Sequence, residues 1–381
     1  MIKIKSDKII KDGGIFDGFV AVDGGKIKAV TKRDFPADEF YDFTGKYVSP
    51  GFIDIHTHGA GGHPFLDGTA DDVTLGCNFM LAHGTTTVLP TVSAAPFERM
   101  KNAVINIKTA MEDARTLPNI VGAHLEGPYL SKNQCGAQCT DFITPPSERD
   151  YKSLIDEYGK YIARWTYAPE NDGDGAFCKY VTDHSIIASA GHTDAKYADM
   201  KVAIENGCDL VTHLYSCTST VTRSGGFRSL GVIETAFLTD ELFVEIIADG
   251  KHLPPELIKM IVKIKGADKV ALITDSLEIA GTDIKSGVMG GTKFLVEDGV
   301  CKLYDRSAFA GSVATTDRLV RVVTEECGYD IGAAIEMMCK TPAKILGMKK
   351  GVIAEEFDAD IVAFDEKINI SSVFVGGRKV I

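Results

Sequence analysis

The stretch IVGAHLEGP, residues 120–128, is a short apolar run that ends on a carboxylate, Glu126, and then turns at Gly127-Pro128. Seven other runs are built alike: GFIDIH (51–56), TTTVLP (85–90), RWTYAPE (164–170), IIASAGH (186–192), LVTHLY (210–215), FVEIIAD (243–249) and VALITD (270–275). Segments of helical period, such as DDVTLGCNFMLAHG and ADMKVAIENG, lie between them. Eight strands alternating with helices are the signature of an α/β fold, the (β/α)8 TIM-type barrel. Its active site gathers at the C-terminal ends of the strands. Here those ends carry His56, His58, Glu126, His192, His213, Asp249 and Asp275, where strands without a site would end on Gly, Asn or Ser.

Residues 1–48 alternate apolar and polar positions, with turns at Asp12-Gly13-Gly14 and Asp23-Gly24-Gly25, and residues 345–381 have the same character. The two ends are expected to form one small β-sandwich, discontinuous in sequence, with the barrel (49–344) inserted between its halves.

Composition narrows the function. The chain has 45% hydrophobic and 25% charged residues, ordinary for a globular enzyme. A net charge of −12 argues against nucleic acid as a partner, which calls for a basic face. No run approaches the ~18 apolar residues of a membrane span, and MIKIKSDKII does not read as a secretory signal. The nine cysteines are scattered, and Cys135 and Cys139 read as free thiols in a polar loop. A cytoplasmic, reducing location is the expectation.

Histidines at i and i+2, His56 and His58, project from one face of a strand end and can reach one metal ion. Alone the pair is a weak signal. Glu126 adds an oxygen ligand, and His192 and His213 add nitrogen, a donor set that suits Zn²⁺ or another first-row divalent ion. Asp275, at the end of the last run, is placed to take a proton from an attacking water and return it to the leaving group. Of the other histidines, His124 is assigned to packing, and His63, His83 and His184 to structural or solvated positions. His252 lies on a loop over the barrel mouth, in reach of a substrate.

The motifs PGFIDIHTHG, HLEGPYL, AGHT, THLY, ADGKH, ITDSLEIAG and FAGS together resemble the N-acetylglucosamine-6-phosphate deacetylase family of the amidohydrolase superfamily, over essentially the whole chain. The resemblance implies hydrolysis of the N-acetyl group of an amino-sugar 6-phosphate, with Glu126, His192 and His213 as ligands of the main metal. It implies Asp275 as the catalytic acid/base, and a second metal site at His56 and His58 with Asp275 in some members. Zn²⁺ is the expected ion, with Fe²⁺, Co²⁺ and Mn²⁺ as alternatives and one or two ions per subunit.

Substrate contacts are implied at Gly136-Ala137-Gln138, at His252 and at Phe309-Ala310-Gly311. A homodimer is implied, with an arginine reaching the phosphate; Arg223 or Arg228 fits. The chain departs from the family where Ser216-Cys217-Thr218 replaces Asn-Ala-Met and where Ala137-Gln138 replaces Ala-His. Ser216 and Cys217 remain candidate phosphate contacts through a hydroxyl and backbone N–H groups. Cyclic-amide hydrolases of the dihydroorotase type use a modified lysine after strand four, and RWTYAPE ends without one. A barrel that has lost catalysis would first lose ligands, and all of them are present. The nearer alternative is a deacetylase of another N-acetyl amino sugar, phosphorylated or not.

Overall fold

The computed structural model describes residues 1–12 and 14–381. Eight strands, β1 (Phe52–Thr57), β2 (Thr85–Ser93), β3 (Ala123–Glu126), β4 (Ile162–Tyr167), β5 (Ile187–Ala190), β6 (Leu210–Val211), β7 (Phe243–Ile247) and β8 (Val270–Ile273), pair in parallel and in chain order. The ring closes just above β8, where the Asp275 N–H donates to the His56 carbonyl at 2.9 Å and the His58 N–H to the Ser276 carbonyl at 2.8 Å. Closure thus falls on residues expected to carry the chemistry.

A helix follows each strand. The first, Ala70–Met80, starts on a capping box in which the Thr69 hydroxyl accepts from the Asp72 N–H and the Asp72 carboxylate accepts from the Thr69 N–H. The second, Phe97–Met111, buries Met100, Ala103, Val104, Ile107 and Ala110, one stripe at helical spacing against the barrel wall.

Several strands stop before their apolar runs do. β5, β6 and β8 each end two residues before His192, His213 and Asp275, which take left-handed backbone conformations with φ of 46°, 28° and 45°. Such angles cost a non-glycine residue energy and persist where surrounding structure enforces them, commonly at functional sites. RWTYAPE leaves the ladder after Tyr167, just ahead of Pro169, and 169–171 form a 3-10 turn.

The two ends of the chain meet in one eight-stranded sheet that joins strands from the first 50 residues to Ile361–Phe364, Ile370–Val375 and Arg378–Lys379. The Ile27 N–H donates to the Phe357 carbonyl at 2.9 Å, and the Glu356 N–H to the Ile27 carbonyl at 2.8 Å. The sheet thereby folds over a core of Ile4, Ile9, Val20, Val22, Ile361, Ala363 and Phe374. Its strand Tyr47–Pro50 leads directly into β1. Gly13, within the expected first turn, lies outside the described residues; the strands on either side pair antiparallel. Among the described residues, no helix is long and apolar enough to cross a membrane.

Candidate active site

Three acceptors converge at the top of the barrel. His192 Nε2 and His213 Nε2 lie 3.1 and 3.0 Å from Glu126 Oε1, and 3.2 Å from each other. The far sides of both rings are committed: His192 Nδ1 meets the Gln134 carbonyl at 2.9 Å and His213 Nδ1 the Ser216 carbonyl at 3.0 Å. A carbonyl only accepts, so each Nδ1 carries the hydrogen. Both Nε2 lone pairs then point at one another and at a carboxylate oxygen, an arrangement that calls for positive charge between them.

A second group shares Glu126. His56 Nε2 stands 3.3 Å from Glu126 Oε1, and His58 Nε2 stands 3.3 Å from Glu126 Oε2. Asp275 Oδ1 completes it, 3.5 Å from His56 Nε2 and 3.1 Å from His58 Nε2. Neither ring nitrogen of the fully buried His56 has a hydrogen-bond partner among the described residues. Buried polar atoms are rarely left so, and a lone pair aimed at two carboxylates fits a cation. Two buried groups that could each hold a metal ion, His56-His58-Glu126 and Glu126-His192-His213, thus meet at one carboxylate. The mixed nitrogen and oxygen donors suit a divalent first-row ion.

The electrostatics agree. Burial pushes the Glu126 pKa up, but His56 and His192 beside it hold it well below the usual carboxylate range. Burial opposes charge on His56, yet Glu126 and Asp275 raise its pKa to about 10. The buried carboxylates demand positive charge beside them.

Each ring is braced from behind. His58 Nδ1 meets Ser93 Oγ at 2.9 Å. The Gln138 amide donates to Glu126 Oε2 at 2.7 Å while its carbonyl oxygen accepts from the Ala94 N–H at 2.9 Å, so both ends of this side chain are used. His124, buried with its ring 4.5 Å from that of His56, sits between Thr91 and Thr166 at 3.1 and 2.7 Å, the packing position expected of it. His63, His83 and His184 bond Asp72, Asp317 and the Tyr180 carbonyl away from the site.

Over the ligands lies a pocket of about 260 Å³. Its walls include His58, Glu126, His192, His213 and Asp275, with Gly136, Ala137, Gln138, Ser216, Cys217, His252, Phe309 and Gly311. His252 is held by Asp249, whose carboxylate accepts from the His252 N–H at 2.8 Å and from the ring at 2.9 Å; the ring packs edge-on against Phe309 at 5.0 Å. Three expected contacts stand elsewhere. Ala310 is buried in a cluster with Leu277, Ile279, Phe294 and Cys301 rather than in the wall. Arg223 and Arg228 face each other across the exposed hairpin Thr222–Ser224 and Phe227–Ser229 and do not line the pocket. The Ser216 N–H already donates to the His213 carbonyl at 2.8 Å.

Sequence reasoning missed Tyr215, Ile247, Leu277, Met289 and Ala308 in the wall. Ile247 was within reach, two residues before Asp249 in a recognised run. Met289 comes from a three-stranded sheet, Ser286–Met289, Thr292–Glu297 and Val300–Leu303, folded over the mouth after β8, and no local pattern announces it.

A parallel eight-stranded barrel with histidine and carboxylate side chains gathered at its C-terminal mouth is the architecture of an amidohydrolase, and residues 47–380 match the Amidohydrolase family model. The chain belongs to that family, and within it to the N-acetylglucosamine-6-phosphate deacetylases. It is 32% identical over 370 residues to the enzyme of that name from Bacillus subtilis (strain 168), covering 94% of this chain and 92% of the relative. Among solved structures it superposes with TM-score 0.92 on the N-acetyl-D-glucosamine-6-phosphate deacetylase of Mycobacterium smegmatis in complex with N-acetyl-D-glucosamine-6-phosphate, at 26% identity and covering 100% and 99% of the two chains. The enzyme from Thermotoga maritima matches with TM-score 0.89 at 29% identity, covering 100% of this chain and 99% of that one.

Proposed function

We infer that this chain hydrolyses the N-acetyl group of N-acetyl-D-glucosamine 6-phosphate, releasing D-glucosamine 6-phosphate and acetate. The observation that carries the reading is the meeting of His192 Nε2 and His213 Nε2, 3.2 Å apart, on Glu126 Oε1 beneath a sugar-sized pocket. Glu126, His192 and His213 hold a divalent cation, best Zn²⁺, with Fe²⁺, Co²⁺ or Mn²⁺ as alternatives. His56 and His58, with Asp275 and Glu126, would hold a second. When bound, such a cation supplies Lewis acidity to the amide carbonyl and to the attacking water.

The chain's own residues handle the proton. Burial pushes the Asp275 pKa up, but the charge of His56 and the hydrogen bond of His58 outweigh it and hold the carboxylate below its usual range. Asp275 is therefore ionised at neutral pH, accepts a proton from the attacking water and passes it to the sugar nitrogen as the C–N bond breaks. His252 and the backbone of Gly136-Ala137 orient the sugar, and Phe309 and Leu277 shield the reacting carbonyl from bulk water. The exposed hairpin with Arg223, Arg228 and Phe227 suits contact with a second copy, and a cytoplasmic homodimer is the assembly this reading carries. Nine free cysteines suit a reducing compartment.

The test is release of free amine from N-acetylglucosamine 6-phosphate by protein stripped with a chelator and reloaded with Zn²⁺, Fe²⁺ or Co²⁺. Turnover restored by metal supports the reading. Equal turnover in stripped and reloaded protein overturns the metal chemistry, and no turnover with any of the three ions overturns the substrate.

A further inference from the structure

Beneath the ligands, the barrel interior holds a charge pair that the hydrolysis above does not use. Arg164 on β4 and Glu245 on β7 are both fully buried. The guanidinium grips both carboxylate oxygens, with Nη2 to Oε2 at 2.8 Å. Its remaining hydrogens go to Ser189 Oγ on β5 at 2.9 Å, to Thr212 Oγ1 just past β6 at 2.7 Å and to the Ile55 carbonyl on β1 at 3.3 Å. Burying such a pair is costly in desolvation, and an apolar pair of similar volume is often as stable or more so. Stability alone therefore does not account for it.

Its position does. Glu245 Oε2 lies 3.6 Å from His56 Nδ1, and among the described residues no other carboxylate comes within 4 Å of that atom. The opposite nitrogen of the same ring faces Glu126 and Asp275 at 3.3 and 3.5 Å. A neutral imidazole carries one hydrogen, and the side on which it sits decides which nitrogen can bind a cation. A carboxylate behind Nδ1 draws the hydrogen there and leaves the Nε2 lone pair free. Arg164 holds that carboxylate in place while tying together β1, β5 and β6, the strands that lead to His56, His192 and His213.

We propose that Glu245, clamped by Arg164, is the positioning residue of the His56–His58 cation site, keeping the His56 hydrogen on Nδ1 and its Nε2 lone pair toward the cation. The proposal rests on the reading that these histidines hold a second ion. An outer carboxylate of this kind is typically worth about 10- to 100-fold in metal affinity.

The experiment follows two readouts in the full chain: Zn²⁺ titration of the stripped protein, and imidazole nitrogen spectra of ¹⁵N-histidine-labelled protein, which report the His56 tautomer. Glu245→Gln turns an amide N–H toward His56 and leaves Arg164 unneutralised. The double variant Arg164→Met with Glu245→Leu removes the acceptor without stranding a charge, so one of the two remains measurable if the other fails to fold. Wild type is expected to take up two ions, with His56 in the Nδ1–H form. In the variants the second ion weakens about 10- to 100-fold, the first stays bound and the His56 hydrogen moves to Nε2. Unchanged second-ion affinity and tautomer in a folded variant overturn the proposal, as does wild type that holds a single ion. Wild type that holds no ion at all overturns instead the metal reading beneath it.

Discussion

His192 Nε2 and His213 Nε2 face each other at 3.2 Å while the opposite nitrogen of each ring is tied to a backbone carbonyl. Neither ring can turn its hydrogen inward without abandoning its backbone acceptor. Alanine at His192, His213 or Glu126 should lower bound metal and activity together, metal affinity falling more than roughly tenfold, the lower end of what losing even an outer partner costs. Alanine at His56 or His58 should spare the first ion. Metal analysis of each purified variant checks this; stoichiometric metal in all three primary variants would place the site elsewhere.

Asp275→Asn separates proton transfer from metal binding. The amide keeps the shape beside His58 but cannot accept the water's proton. Turnover should fall on the order of 10²- to 10⁴-fold, with the metal at Glu126, His192 and His213 retained. Steady-state kinetics together with metal content decide it, and near-wild-type turnover in a folded variant rejects Asp275 as the proton carrier.

Asp54 predicts a pH dependence of stability. It is fully buried two residues before His56, and its carboxyl accepts the Thr274 hydroxyl at 2.6 Å. Burial raises its pKa from 3.8 to about 7 against the opposing pull of these hydrogen bonds. Between about pH 4 and pH 7 the folded protein holds a proton that the unfolded chain releases, so this residue's contribution to stability falls as pH rises and is flat above. Asp54→Asn removes that slope. The variant should gain on wild type across the window by a few kcal/mol, on the order of 1.4 per pH unit. Denaturant unfolding of both proteins at equal metal loading checks the difference, and a gap that does not change with pH contradicts it.

How much of this was legible in the sequence varies with the range of the signal. The strands announced themselves as apolar runs, and the candidate ligands as polar residues closing those runs, where a barrel opens at its C-terminal mouth. Run ends were read too far: the residues after β5, β6 and β8 leave the ladder for left-handed conformations that residue type does not reveal. Arg164 and Glu245 were visible as charges inside RWTYAPE and FVEIIAD, yet only the closed ring shows that β4 and β7 bring them together across the interior. Gln138, implied as a sugar contact by the resemblance, stands in the pocket wall with its amide bonded to Glu126 and the Ala94 N–H, partners no local pattern reveals. Phosphate recognition was the least legible, since the pocket wall includes no lysine or arginine among the described residues.

That last point sets the final prediction. A phosphate needs a cationic partner, and the arginines expected to serve lie on an exposed hairpin whose Phe227 is 82% exposed. Arg223 and Arg228 are cross-strand neighbours there, and the only hydrogen bond either side chain makes among the described residues runs from Arg228 to the Gly226 carbonyl. If a second copy carries this hairpin to the pocket mouth, either guanidinium can offer two parallel hydrogen bonds to the phosphate. Such a contact is shared by ground and transition states, so its loss should raise KM more than it lowers kcat. A charged hydrogen bond is worth about 1.5–3 kcal/mol, roughly a 10- to 150-fold fall in kcat/KM for N-acetylglucosamine 6-phosphate. Turnover of unphosphorylated N-acetylglucosamine should barely change in the same variants. Arg223→Ala and Arg228→Ala, assayed on both sugars and sized by light scattering, identify the residue involved. Wild type without preference for the phosphorylated sugar, or two variants that keep the full preference, would remove the arginines from phosphate recognition and leave the metal-dependent chemistry at Glu126, His192 and His213 to be matched with a different amino sugar.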